Sequence, residues 1–213
     1  MRLTGRDDPL LEILAGTGRQ MADAVVPTAA FVVVWLVAQA VSWPEPILLG
    51  GLASIVVAGA VAVVRWRGGE RPRAAAVGLL IAVVATLIAL YTGRAEDFFL
   101  PRIVANAGSL AAWLVSIAIR WPLLGVLLGP LGGEGMAWRR DPEQVRLYSR
   151  ASWIWVGVFT LRLAVQLPLY LAGALLALGI ARTAMGLPIF LLAIWLSYLV
   201  LQRGEEADPR LSS

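Results

Sequence analysis

Trp153-Ile-Trp-Val-Gly-Val-Phe-Thr-Leu-Arg-Leu-Ala-Val-Gln-Leu-Pro-Leu-Tyr-Leu-Ala172 is an apolar run about as long as a bilayer's hydrocarbon core is thick. Near its middle stands Arg162. An arginine at mid-membrane depth costs roughly 2.5–3.5 kcal/mol on insertion scales, so it must face a partner or a polar cavity rather than lipid. The run therefore reads as a membrane helix with a functional candidate inside it.

The rest of the chain agrees. Of 213 residues, 59% are apolar and 15% charged, and the mean hydropathy is +0.77. A soluble domain of this size does not show that balance. All 18 basic residues are arginine, and lysine, histidine and cysteine are absent. That removes Ser-His and Cys-His nucleophile pairs and Cys/His metal sites, so neither a cofactor nor a metal is expected. The high pI, near 10.3, does not argue for nucleic acid, because the arginines cluster in short loops beside apolar spans, where membrane topology accounts for them.

Working outward, the candidate spans are Val25–Val41, Ile47–Val64, Ala74–Tyr91, Pro101–Ile119, Ser152–Leu171 and Leu187–Leu201. The expected fold is an all-α polytopic helical bundle of about six transmembrane helices. It divides into an N-terminal segment (1–24), a membrane domain (25–202) and a polar tail (203–213). Residues 122–133 are apolar but too short to cross, which suits a re-entrant or interfacial segment, and residues 174–185 are equally ambiguous because of Arg182. Ala38-Gln39-Ala40 resembles a signal-peptidase site, yet the preceding acidic segment is unlike a cationic leader.

With the N-terminus inside, one side collects Arg2, Arg6, Arg19, Arg65, Arg67, Arg71, Arg73, Arg120, Arg139, Arg140, Arg146, Arg150, Arg203 and Arg210, and the other keeps Arg94, Arg102 and Arg182. That asymmetry favours both termini in the cytoplasm and a location in the inner membrane. Trp43, Trp66, Trp121, Trp138 and Trp153 fall at span ends, where indoles prefer the headgroup layer. Arg65, Arg67, Arg71, Arg73, Arg139 and Arg140 are candidates for contact with anionic lipid, although topology setting alone also predicts them.

A repeat is visible. Val26-Pro27, a helix, Trp43-Pro44, a second helix and Gly68-Gly69-Glu70 before a third helix are matched by Leu100-Pro101, a helix, Trp121-Pro122, a shorter apolar segment and Gly132-Gly133-Glu134 before a third helix. Three spans per copy would invert the second relative to the first, as in many transporters. Gly132-Gly133-Glu134-Gly135 lacks the lysine and strand of a phosphate loop and reads as a turn.

Polar residues fall on single helix faces. The fourth span aligns Arg102, Asn106, Ser109, Trp113, Ser116 and Arg120, the fifth Ser152, Trp155, Phe159, Arg162, Gln166 and Tyr170, and the first Thr28, Phe31, Trp35, Gln39 and Ser42. Such faces must turn to protein or water, so these helices are expected to share an interior. Between the third and fourth spans, Thr92-Gly-Arg-Ala-Glu-Asp-Phe-Phe-Leu-Pro-Arg102 holds Glu96 and Asp97, the carboxylates available to neutralise Arg162 or Arg182. The candidate intramembrane site is thus Arg162, Gln166, Asn106, Arg94, Glu96, Asp97, Arg102 and Arg182. No catalytic residue is assigned, and an enzyme acting on lipid is disfavoured by the missing histidines.

Three motifs carry a resemblance: Tyr91–Pro101, Gly132-Gly-Glu-Gly-Met-Ala-Trp-Arg-Arg-Asp-Pro142 and Arg162-Leu-Ala-Val-Gln-Leu-Pro-Leu-Tyr-Leu-Ala-Gly173. Over about Asp23–Gln202 the chain closely resembles the actinobacterial membrane family catalogued as domain of unknown function 3159, and is distantly similar to the intracellular septation protein A family. The first likeness implies no activity; the second implies an envelope or division scaffold with membrane-protein partners or self-association. The residues themselves favour binding or passage of a small solute or ion.

Overall fold

The computed structural model describes the backbone of residues 9–69, 73–130 and 135–207, and the side chains of 25–69, 76–130 and 135–204. Helices account for nearly all of it, and no strand occurs among the described residues. In chain order the helices are α1 (Pro9–Ala40), α2 (Pro46–Arg67), α3 (Arg73–Thr92), α4 (Leu100–Ala118), α5 (Leu123–Leu128), α6 (Pro142–Leu171), α7 (Leu175–Ala184) and α8 (Leu187–Ala207). Short 3-10 turns, Ala95–Phe99 and Ala137–Arg140, precede α4 and α6.

Among the described residues, four segments are long and apolar enough to cross a membrane: Pro46–Arg67, Ala95–Ala118, Pro142–Leu171 and Leu175–Gly204. Val25–Ala40 and Ala76–Thr92 are apolar but shorter, the latter about 25 Å at helical rise. The chain is an all-α membrane protein. Of the segment 122–133, residues 122–130 are described and hold the six-residue α5; residues 174–185 hold α7, which joins α8 in one apolar stretch. The expected N-terminal segment is helical from Pro9, continuous with the first span.

The chain divides into two compact units. The first, residues 1–101 and 169–187, holds α1, α2, α3, the Ala95–Phe99 turn and α7. Its helices close on small residues. A Cβ on Gly50 would lie 2.9 Å from the Phe31 carbonyl oxygen, and one on Gly51 would overlap the Thr86 side chain. The adjacent glycines thus let α1 approach α2 on one side and α3 on the other, the usual route to helix contact where lipid offers no hydrophobic drive. Phe98 is stacked on Phe31 at 3.9 Å between centroids, which draws the 3-10 turn against α1.

The second unit, residues 102–168 and 188–213, holds α4, α5, α6 and α8. Trp113 of α4 stacks on Trp155 of α6 at 5.5 Å, and Trp155 meets the edge of Phe190 on α8. Trp113, Leu124, Ala151 and Val156 form the buried cluster. Trp138, expected at the headgroup layer, instead turns inward and is 1% exposed. It fills a hollow over Gly125 and Gly129, where a Cβ would sit 2.9 and 2.7 Å from its ring. Trp43, Trp66, Trp121 and Trp153 do stay exposed.

The backbone sharpens the repeat. Among described residues, the non-glycines with positive φ are Ser42 (54°) and Arg120 (55°), each directly before a Trp-Pro pair. Both turns close alike. Trp43 N donates to Ala38 O at 2.9 Å and Ser42 N to Gln39 O at 3.0 Å; Trp121 N donates to Ser116 O at 2.8 Å and Arg120 N to Ile117 O at 3.0 Å. This is the Schellman closure, held here by residues that bear the left-handed cost glycine avoids. Of the positive-φ glycines, Gly93 follows α3 and Gly173 follows the end of α6, the third helix of each copy. At the separation that relates Trp43 to Trp121, Trp35-Leu36-Val37 matches Trp113-Leu114-Val115. In this register Pro27 corresponds to Ala105, not to Pro101 as the Val-Pro and Leu-Pro pairs suggest.

Candidate functional site

The candidate residues fall into two groups, one in each unit. In the second unit, α4 and α6 bring Asn106 and Gln166 together: Asn106 Nδ2 donates to Gln166 Oε1 at 3.2 Å, and both side chains are buried. Arg162 lies one turn back on the same face of α6, also buried, its guanidinium 5.8 Å from the Phe159 ring centroid. Arg102 is exposed at the start of α4 and adds a like charge to the surroundings of Arg162. The α4 face is buried through Ile103, Asn106, Trp113 and Ser116 and surfaces at Arg102 and Arg120. Ser116 serves the chain locally, donating to Trp113 O and accepting the Leu123 N–H that opens α5.

Among the buried polar atoms of this unit that have no hydrogen-bond partner among the described residues are Trp155 Nε1 and Ser197 Oγ, besides Trp138 Nε1 and Gln144 Oε1. Each such orphan costs about 1–3 kcal/mol unless a ligand or water meets it. Trp155 was legible as part of the α6 stripe. Ser197 was not, because a single serine in the apolar run of α8 carries no pattern.

The other group lies in the first unit, where the last residues of α6 meet the 3-10 turn. Tyr170 Oη donates to Asp97 Oδ1 at 2.6 Å, and Asp97 is 4% exposed. Arg94 Nε donates to Glu96 Oε1 at 2.9 Å, and its guanidinium lies 5.6 Å from the Tyr170 ring centroid. Its hydrogen bond to Glu96, and then the charge of Glu96, hold the Arg94 guanidinium above its ordinary pKa. Gly173, left-handed at φ 67°, ends α6 close to Glu96, where a Cβ would stand 3.4 Å from Oε1. Asp97 is therefore taken up by a tyrosine, a partner that sequence spacing across 73 residues gave no reason to choose. Arg182 sits on α7, half-buried.

The first-span stripe is only partly interior: Thr28 and Phe31 are buried, while Gln39 and Ser42 are exposed as α1 ends in its turn. A cavity of about 400 Å³ lies beside it, lined by Thr28, Val32, Leu176, Gly179, Ile180 and Thr183 among others. Of the lipid-contact candidates, Arg65, Arg67, Arg139 and Arg140 are described; Arg71 and the side chain of Arg73 lie outside the described residues, as do Gly132–Glu134 and the arginines before residue 9 and after residue 207.

The sequence model of the family described as protein of unknown function (DUF3159) matches residues 15–208. The chain belongs to this family. The match begins inside α1 and runs past the end of α8, so the two polar groups lie inside the matched region. No curated protein and no solved structure matches the chain.

The repeat register compares the two polar groups with their counterparts. Asn106 corresponds to Thr28, and by the Gly93 and Gly173 turns Gln166 corresponds to Thr86 and Arg162 to Ala82. Thr28, Thr86 and Ala82 are buried too. One copy fills these positions with small residues, and Thr86 closes its hydroxyl on Ala82 O within its own helix. The other copy fills them with an arginine and two carboxamides.

Proposed function

We propose that this membrane protein binds, and passes, a small solute or ion at the polar site of α4 and α6. The observation that carries the reading is the buried Asn106–Gln166 hydrogen bond one turn from Arg162, in helices otherwise apolar enough to span a membrane. Leucines at these positions would insert more easily, since polar side chains inside a membrane are expensive and an interhelical bond returns only about 0.6 kcal/mol. Helix locking alone is weak compensation for that cost. The orphaned Trp155 N–H and Ser197 hydroxyl add donors a polar ligand would satisfy. Six crossings, a three-helix repeat inverted in the membrane, and cytoplasmic termini in an inner membrane complete the reading, the last from arginine placement.

A non-transporting scaffold of the envelope or division machinery is the second reading. It is favoured by the direct Asn106–Gln166 hydrogen bond, which joins α4 to α6 without a ligand.

The test is accessibility. Asn106→Cys and Gln166→Cys, in a chain without native cysteine, are exposed to small water-soluble thiol reagents from each side of reconstituted vesicles. Passage requires reaction from both sides, in one state or across conditions. Protection from both sides throughout rejects it in favour of the scaffold.

A further inference from the structure

We infer that Trp121, Arg139 and Arg140 form a binding site for the phosphate of an anionic phospholipid headgroup. The local fold assembles it in steps. Arg120, left-handed at φ 55°, ends α4 and turns Trp121 out, where it remains 39% exposed. Pro122 then opens α5, whose six apolar residues cannot cross a bilayer and suit its boundary. Trp138, packed on Gly125 and Gly129 of α5, pins the Ala137–Arg140 turn against that helix. The next residue, Arg139, is thereby laid on Trp121, its guanidinium carbon 3.8 Å from the ring centroid.

A guanidinium whose carbon lies over an indole ring is ordered there while its N–H donors still reach past the ring, where the fork can take a bidentate acceptor such as a phosphate. The indole itself belongs at the level of lipid headgroups. Among the described residues, the carboxylates next along the chain are committed elsewhere. Asp141 Oδ1 accepts the Glu143 N–H at 2.9 Å and caps α6, while Glu143 Oε1 accepts from Arg146 at 2.8 Å. Arg139 and Arg140 are exposed, and neither makes an ion pair with a described residue. Trp43 holds the equivalent turn of the first copy, but no arginine is stacked on it among the described residues. Topology-setting charge needs only a number of arginines on one side; it does not need one of them ordered on a tryptophan.

The experiment titrates purified full-length protein in zwitterionic detergent with short-chain phosphatidylglycerol, and separately with short-chain phosphatidylcholine and inorganic phosphate, reading bound lipid by native mass spectrometry. Phosphatidylglycerol should bind, phosphatidylcholine should bind at least tenfold more weakly, and inorganic phosphate should not displace the lipid at equal concentration. Arg139→Gln should weaken phosphatidylglycerol roughly tenfold or more, the loss of a charged bidentate contact. Arg139→Lys should fall between, keeping charge without the fork. Arg150→Gln and Arg203→Gln, which remove the same charge from other exposed positions, should stay within about twofold. Equal losses in Arg139→Gln and these controls would reduce the effect to net charge and overturn the site. Displacement by inorganic phosphate would overturn the lipid assignment in favour of a soluble phosphate. Because the altered side chains are exposed, each variant is checked for unchanged helicity before titration.

Discussion

Tyr170 donates its hydroxyl to the Asp97 carboxylate at 2.6 Å, joining the end of α6 to the 3-10 turn that precedes α4. The bond sits within the first unit, near the Arg94–Glu96 pair and next in the turn to Phe98, which stacks on Phe31. It gives a buried carboxylate a hydrogen-bond donor.

Removing that donor should be costly. Tyr170→Phe is expected to destabilise the protein by about 1.5–3 kcal/mol, the range for hydrogen bonds to charged groups. Asp97→Asn should also destabilise, and the double variant should cost less than the sum of the two. Thermal unfolding in detergent measures this, and strict additivity would remove the pair as a coupled unit.

The α2 glycines make a steric prediction. Gly51→Ala places a methyl group against Thr86 and should cost about 1–3 kcal/mol, whereas Gly59→Ala, with nothing within 4 Å, should be neutral or mildly stabilising. Thr86→Ala should partly rescue Gly51→Ala by removing the colliding atoms. Failure of that rescue would mean the α2–α3 contact is not the one described.

Arg162 makes a prediction for insertion. Placed as an isolated segment in a glycosylation-mapping assay, residues 152–171 should insert more completely as Arg162→Leu, by roughly 2.5–3.5 kcal/mol in apparent insertion free energy. An unchanged inserted fraction would show that the side chain does not reside at mid-depth in the span.

Topology can be read by impermeant thiol labelling of single cysteines on intact cells. Ala95, central to the loop that arginine placement puts outside, is buried, so the nearby exposed Thr92 is the better reporter. Thr92→Cys should label, and Gly68→Cys and Met136→Cys should not, following arginine placement. The reverse pattern would invert the orientation.

The helices, their apolar faces and the burial of Asn106, Arg162 and Gln166 were legible in the sequence, because hydropathy over about 20 residues and polar residues at helical spacing are local signals. Trp121 and Trp43 were legible as turn markers for the same reason, lying next to proline. What the sequence could not determine is which distant groups meet. It offered Asp97 as a counter-charge for arginine, and the fold gave that carboxylate to Tyr170; it placed Trp138 at the headgroup layer, and the fold buried it over Gly125 and Gly129. It also left Arg139 as one arginine among many, where the fold set it on Trp121. Periodicity fixes the face a side chain takes on its own helix, but the partner across that face depends on how closely helices approach, and here small residues, left-handed turns and a 3-10 insertion set that approach.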